Sequence, residues 1–309
     1  LAIALYNKKG DAAGALRELE TAFALDPTDA RIFLERDALY KRTGMGLEKR
    51  LSQFERYRDL VLERDDAMLE WVTLYNLTGR HQQALDTILA HHFRPWEGGE
   101  GKISGQYKLA LRALAGECMR QGDLKKAAQL LQTALVYPEC LGEGRLEGTK
   151  DNDIHYGLGV VWEALGDRQQ AEDAFRLALS GSTEPAGVQY YYDQPAGMIF
   201  YQGLAWRKLG QLQQSQECLE RLYRYGKAHL EDVVQPDFFA VSLPDFLIFE
   251  DDIQQKNKAH CWYLMGLSAL GQGDRKQAKE CFERSLSFDP TYQDSQIYHI
   301  ICEKEGEPL

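Results

Sequence analysis

The side chains in this 309-residue chain whose types suggest chemistry collect in a few loop-like stretches. The first, roughly 93–107, reads FRPWEGGEGKISGQY and carries Trp96, Glu97, Glu100 and Tyr107. Two Glu on a Gly-rich loop are of the type a glycosidase places on either side of the bond it breaks, one of them as the acid. The same pair serves equally for loop or ligand hydrogen bonding, because a catalytic carboxylate needs a supporting shell and a perturbed pKa. Gly98, Gly99 and Gly101 do not satisfy GxxxxGK[ST], so they make no phosphate loop. They are expected to turn the backbone closely around Trp96. A later stretch, VQYYYDQP, holds Tyr190, Tyr191 and Tyr192, and PDFFAVSLPDFLIFEDD holds Phe239 and Phe246. Disordered loops are poor in aromatic residues, so these stretches are expected to be ordered. Their rings and the two Glu are the candidate binding residues, and no residue is assigned a catalytic role.

Other clusters point to structure. His91 and His92 are adjacent and diverge by about 100° on a helix, so they cannot chelate as an i, i+4 pair does. His91 and His92 fit a helix C-terminus. The run Glu250-Asp251-Asp252 lacks EF-hand spacing and reads as a solvated helix start. The six Cys form no CxxC pair. They are expected to be small, reduced core residues, which favours a reducing, cytoplasmic compartment. No metal or cofactor is implied.

The net charge is −11, with no run of five or six basic residues. Phosphate binding needs a basic stripe, so nucleic acid is not the expected partner. No apolar run is long enough to span a membrane. Residue 1 falls inside a helical pattern with no initiator Met, which reads as a fragment of a longer chain.

The elements that must position these loops recur with fixed punctuation. In residues 259–292, Trp262, Met265, Gly266 and Ala269 share one helix face, and Ala278, Phe282, Ser285 and Leu286 share another. Gly273-Asp274 separates them and Pro290 stops the second helix. The helix-closing Gly recurs at Gly10, Gly44, Gly79, Gly122, Gly166 and Gly210. Its spacing grows from 34 (Gly10 to Gly44) to 63 (Gly210 to Gly273). A small residue follows five positions later at Ala15, Ala84, Ala127, Ala171, Ser215 and Ala278; the second unit is the exception, with Arg50 six positions after Gly44. The expected organisation is one array over 1–309: a partial repeat at 1–29, repeats at 30–63, 65–98, 108–141, 152–185, 196–229 and 259–292, an insert at 230–258, and a capping helix at 294–304. Every surplus falls between repeats, so the inserts emerge along one edge.

The pattern W-x2-M-G-x2-A…A-x3-F…P resembles a tetratricopeptide repeat. The resemblance implies an all-α solenoid, a right-handed superhelix of helix-turn-helix units. The motifs HHFRPWEGGEGK, YYDQPAGMIFYQGLAW and PDFFAVSLPDFLIFEDD are similar to a family of large bacterial proteins. In that family such repeats follow a domain of unknown function that looks like a sugar-mutarotase β-sandwich. This resemblance covers about residues 60–304 and implies a carbohydrate-linked context.

Two functions follow as expectations. One is a scaffold that binds a protein, or an upstream domain of the same chain, through its concave groove and aromatic inserts. The other is an accessory part of a carbohydrate-active enzyme, with the inserts completing a sugar site. The first-helix positions Leu34, Ala38, Leu69, Thr73 and Gly116 lack the cations that clamp acidic chaperone tails, and only Arg112 could serve. The later inner face, with Tyr156, Phe200, Leu204, Tyr263 and Leu267, is apolar and needs cover. The insert at 230–258 is expected to fill it as a wedge between the last two repeats.

Overall fold

The computed structural model describes residues 1–94, 96, 98–186, 194–234 and 248–303. Among the described residues the chain is all-α, without a strand. Helix pairs follow in order: α1 (Ala2–Lys9) with α2 (Ala12–Leu25), and α3 (Ala30–Arg42) with α4 (Leu47–Arg56) and its short continuation α5 (Arg58–Val61). Then come α6 (Asp65–Leu77) with α7 (His81–Leu89), α8 (Lys102–Arg120) with α9 (Leu124–Ala134), and α10 (Asn152–Ala164) with α11 (Arg168–Leu177). The last pairs are α12 (Gly197–Lys208) with α13 (Leu212–His229) and α14 (Ile253–Gly271) with α15 (Arg275–Phe288), followed by α16 (Gln293–Glu303).

The Gly punctuation makes these pairs. All seven helix-closing glycines, from Gly10 to Gly273, take a positive φ between 65° and 88°. That left-handed residue lets the next N–H reach back to a carbonyl of the last helical turn: Asp123 to Cys118 and Asp274 to Ala269, both at 2.9 Å. The Asp after the Gly then starts the second helix. Asp11, Asp123, Asp167 and Asp274 accept from the N–H groups of Gly14, Lys126, Gln170 and Gln277 at 2.7–3.1 Å. The small residues that follow are buried, from Ala15 to Ala278. Gly266 shows why size is limited there, since a Cβ on it would lie 2.6 Å from the Phe282 ring.

Three departures from the spacing have local causes. Helix α8 begins at Lys102, ahead of Lys108, and α14 at Ile253, ahead of Ala259. Each takes up the end of an expected insert. The second helix of the second pair breaks at Tyr57 (φ −109°, ψ 39°). Arg50, the one large residue at a small-residue position, is 1% exposed and fully engaged. Its Nε and Nη2 donate to Asp37 at 2.9 and 2.6 Å, and Nη2 also reaches Glu70 at 2.6 Å. Lys41 holds the other Glu70 oxygen at 3.0 Å. Burial pushes the Glu70 carboxyl up, but Lys41 and Arg50 outweigh it and bring it down to about 2.

The chain divides into two compact units. The first comprises residues 1–106, 140–142 and 237–252, the second 107–139, 143–236 and 253–309. The first has a core in which the rings of Phe23, Phe33, Phe54 and Tyr57 meet at centroid distances of 5.0–6.0 Å. The second has a core of Tyr156, Phe175, Phe200, Leu204, Leu219, Tyr263, Leu267, Phe282 and Tyr298 among others.

The wedge expectation falls mostly on residues that are not described. Its central residues, including Phe239 and Phe246, lie outside the described residues. The described part, Ile248–Asp252, belongs to the first unit, where Phe249 packs on α1–α3. Phe200, Leu204, Tyr263 and Leu267 are covered by helices of their own unit, with Tyr298 from α16 lying 5.8 Å from Phe200 and 5.9 Å from Tyr263.

Candidate functional site

In the first unit a short non-helical segment, residues 248–251, packs on helices α1–α3. Asn7 grips its backbone: the side-chain amide donates to the Ile248 carbonyl at 2.9 Å, and the amide oxygen accepts from the Glu250 N–H at 3.0 Å. Between these two bonds Phe249 turns inward and is 1% exposed. It packs with Ala2, Ala15, Leu19 and Leu39 and meets the Tyr6 ring edge-on at 5.2 Å. The flanking acids find cations. Lys8 pairs with Glu250 at 3.2 Å and Arg42 with Asp251 at 3.0 Å. The Arg42 guanidinium also donates to the Phe249 carbonyl at 3.4 Å and lies 6.0 Å from its ring.

The inner side of the second unit is filled differently. Arg112 donates to Asp153 at 2.8 Å and to the Tyr201 hydroxyl at 2.9 Å, and the Tyr298 hydroxyl bonds that of Tyr201 at 2.8 Å. Burial acts to lower the Arg112 pKa. The Tyr201 oxygen and Asp153 outweigh it and keep the guanidinium charged. Arg112, the one cation of the predicted groove able to clamp a carboxylate, is thus already occupied. Burial pushes the hydroxyls of Tyr201, Tyr263 and Tyr298 above the phenol range. Beside them His260 receives a hydrogen bond at 2.8 Å from, or gives one to, the Tyr292 hydroxyl, and burial lowers its pKa to about 4. It is therefore neutral at pH 7. Asp151 has no exposed side-chain surface and holds Lys108 at 3.0 Å and Arg145 at 2.7 Å. Burial raises its pKa, and Lys108 first among the cations lowers it below the usual range.

The predicted binding residues divide three ways. Glu97, Tyr190, Tyr191, Tyr192, Phe239 and Phe246 lie outside the described residues. Tyr107 is buried in the second unit, 3% exposed, with its hydroxyl 3.4 Å from the Thr133 carbonyl. That places it in the core of a helix pair. Trp96 is half-buried over the Gly99 backbone, where a Cβ would fall 2.1 Å from the ring. Glu100 is exposed and accepts from the Gly98 N–H at 2.8 Å, which closes the loop. Gly98 and Gly101 both take positive φ, 82° and 73°. The start of this loop is fixed by Asp65, which accepts from the Arg94 N–H at 2.9 Å and pairs with His91 at 2.6 Å.

Two later inserts are pinched at their bases by a glutamine amide acting as a backbone mimic. Gln194 bonds both the N–H and the carbonyl of Ser182, at 2.9 and 2.7 Å. Gln254 does the same to Val234, at 3.2 and 2.6 Å. All six Cys are free, five of them buried, and burial raises the thiol pKa of Cys218, Cys261 and Cys281 to about 11. Such thiols are poor nucleophiles at neutral pH. Among the described residues no three His, Cys, Asp or Glu stand together as metal ligands, and no helix is long and apolar enough to cross a membrane.

Residues 259–292 match the family model of the tetratricopeptide repeat. A tetratricopeptide repeat protein from Parabacteroides merdae is similar over 96% of this chain and 94% of that one, at 12% identity and a TM-score of 0.44. The C-terminal part of a tetratricopeptide repeat-containing protein from Cytophaga hutchinsonii is similar over 98% of both chains, at 11% identity and a TM-score of 0.39. The fold is all-α and of the tetratricopeptide-repeat type. At TM-scores below 0.5 the two structures say nothing about what this chain binds.

Proposed function

We propose that this chain is an interaction scaffold that holds a short segment of a partner protein against the first helices of its N-terminal pairs. The observation that carries the reading is the grip of Asn7. It bonds the main chain on both sides of a buried aromatic, so the grip is on backbone atoms and not on the side chains of Ile248 and Glu250. The packing of Phe249 then supplies the side-chain pocket. Binding by such a groove needs no catalytic group. The carbohydrate alternative rests on the loop resemblance alone, and among its residues Glu100 is engaged in closing its own loop.

A random-peptide display selection against the purified chain tests the reading. The expected result is a set of peptides that bind in calorimetry and lose binding on Asn7→Ala. Peptides that bind equally well to the Asn7→Ala chain, or no selected peptides at all, would contradict it.

A further inference from the structure

Residues 248–251 meet α1 and α3 as a ligand meets its receptor. One side chain of the four is inserted, and the others lie at the rim. Ile248 keeps 37% of its surface exposed against 1% for Phe249. The Lys8–Glu250 pair is exposed on both sides, at 74% and 61%. The Arg42–Asp251 pair is half-buried, at 16% and 19%. Both Asn7 bonds go to backbone atoms. Nothing in this set of contacts requires the segment to be covalently joined to the helices that hold it. The chemistry of the receptor is nonetheless selective. The pocket of Ala2, Ala15, Leu19, Leu39 and Tyr6 takes a ring. The two cations are placed to meet acids at the next two positions, where hydrophobic or basic residues would leave Arg42 unpaired.

We propose that the α1–α3 groove is a receptor for an aromatic residue followed by two acidic ones, that Ile248–Asp251 is its resident occupant, and that a partner protein bearing the same motif displaces it. The proposal rests on the scaffold reading and adds the chemistry of the partner. The tethered segment competes at high effective concentration, so the groove of the intact chain is masked from partners until a better or more concentrated motif arrives.

The test uses the full chain and a fluorescently labelled peptide with the sequence of residues 247–253, LIFEDDI, read by anisotropy. Three chains are compared: the unaltered one, one with Glu250→Lys and Asp251→Lys, and that one with Asn7→Ala added. The charge reversal repels the resident segment from Lys8 and Arg42 and leaves Phe249 in place. The peptide should bind the charge-reversed chain about tenfold or more tightly than the unaltered chain. Adding Asn7→Ala should abolish that gain, and a peptide with Ala for Phe should not bind. Equal binding to the first two chains, with helicity retained, would overturn the proposal. So would loss of helicity in the charge-reversed chain and also in a Phe249→Ala chain, because the segment would then be a fixed part of the fold. Concentration-dependent dimers of the unaltered chain that the peptide dissolves would make a second copy the occupant, which also overturns it. Selected display peptides that need Asn7 but lack an aromatic–acidic motif would sink this proposal and leave the scaffold reading standing.

Discussion

The first unit packs a segment that is not one of its helices onto α1–α3, and the second fills its core with side chains of its own helices. In the first, Phe249 is the single deeply inserted residue, and of the ion pairs around it Lys8–Glu250 is exposed and Arg42–Asp251 half-buried. In the second, Arg112, Asp153, Tyr201 and Tyr298 form a chain of hydrogen bonds that is buried throughout. Buried polar networks fix one arrangement, because every broken link leaves a group with neither water nor partner. Rim contacts in water are weak and can be exchanged. The contrast assigns rigidity to the second unit's inner side and exchange to the first.

The sharpest way to break the contrast is Arg112→Met. It leaves the Asp153 carboxylate buried without its cation and should cost about 3–5 kcal/mol in urea unfolding. A loss under about 1 kcal/mol would show that the network is not a fixed core.

Acid tests the same unit. The folded-state pKa of His260 is about 4, below its ordinary 6.5, so between those values the unfolded chain binds a proton that the folded chain excludes. Stability is therefore complete above about pH 6.5 and lost as the pH falls towards 4, by about 3 kcal/mol in all. His155, also lowered by burial, acts in the same direction. His260→Gln should flatten most of this slope, and an unchanged slope would contradict the assignment.

In the first unit the effects should be smaller. Phe249→Ala should cost about 2 kcal/mol, the value of one buried aromatic, because the segment can undock without unfolding the helices. Lys8→Ala should change stability by less than about 0.5 kcal/mol, since both members of its ion pair are solvated. A larger effect of Lys8→Ala than of Phe249→Ala would invert the account of what holds the segment.

Much of the fold was legible because its signals are local. Gly at a left-handed position and Asp one residue on act within a single turn, and both perform the roles their chemistry requires. Arg50 was legible as an exception but not as an ion-pair centre. Asp37 and Glu70 come from the first helices of two successive pairs, so their meeting depends on packing between pairs. The docking of Phe249 was not legible at all. Its aromatic and acidic character called for cover and for a helix start, and nothing in sequence distance favours α1 over the repeats next door. Asn7 carried no signal, being one polar residue on a short helix. Trp96 and Glu100 were singled out as candidate binding residues. Their observed contacts are with Gly99 and Gly98 of the same loop.

Hydrogen exchange at the Glu250 amide tests the central claim most directly, because this amide donates to the side chain of Asn7 at 3.0 Å. In the unaltered chain this amide should be protected, but less than the amides of α14 and α15. Asn7→Ala should remove its protection while leaving those helices unchanged. An amide that exchanges at the rate of a free segment in the unaltered chain, or one that Asn7→Ala leaves protected, would contradict the account.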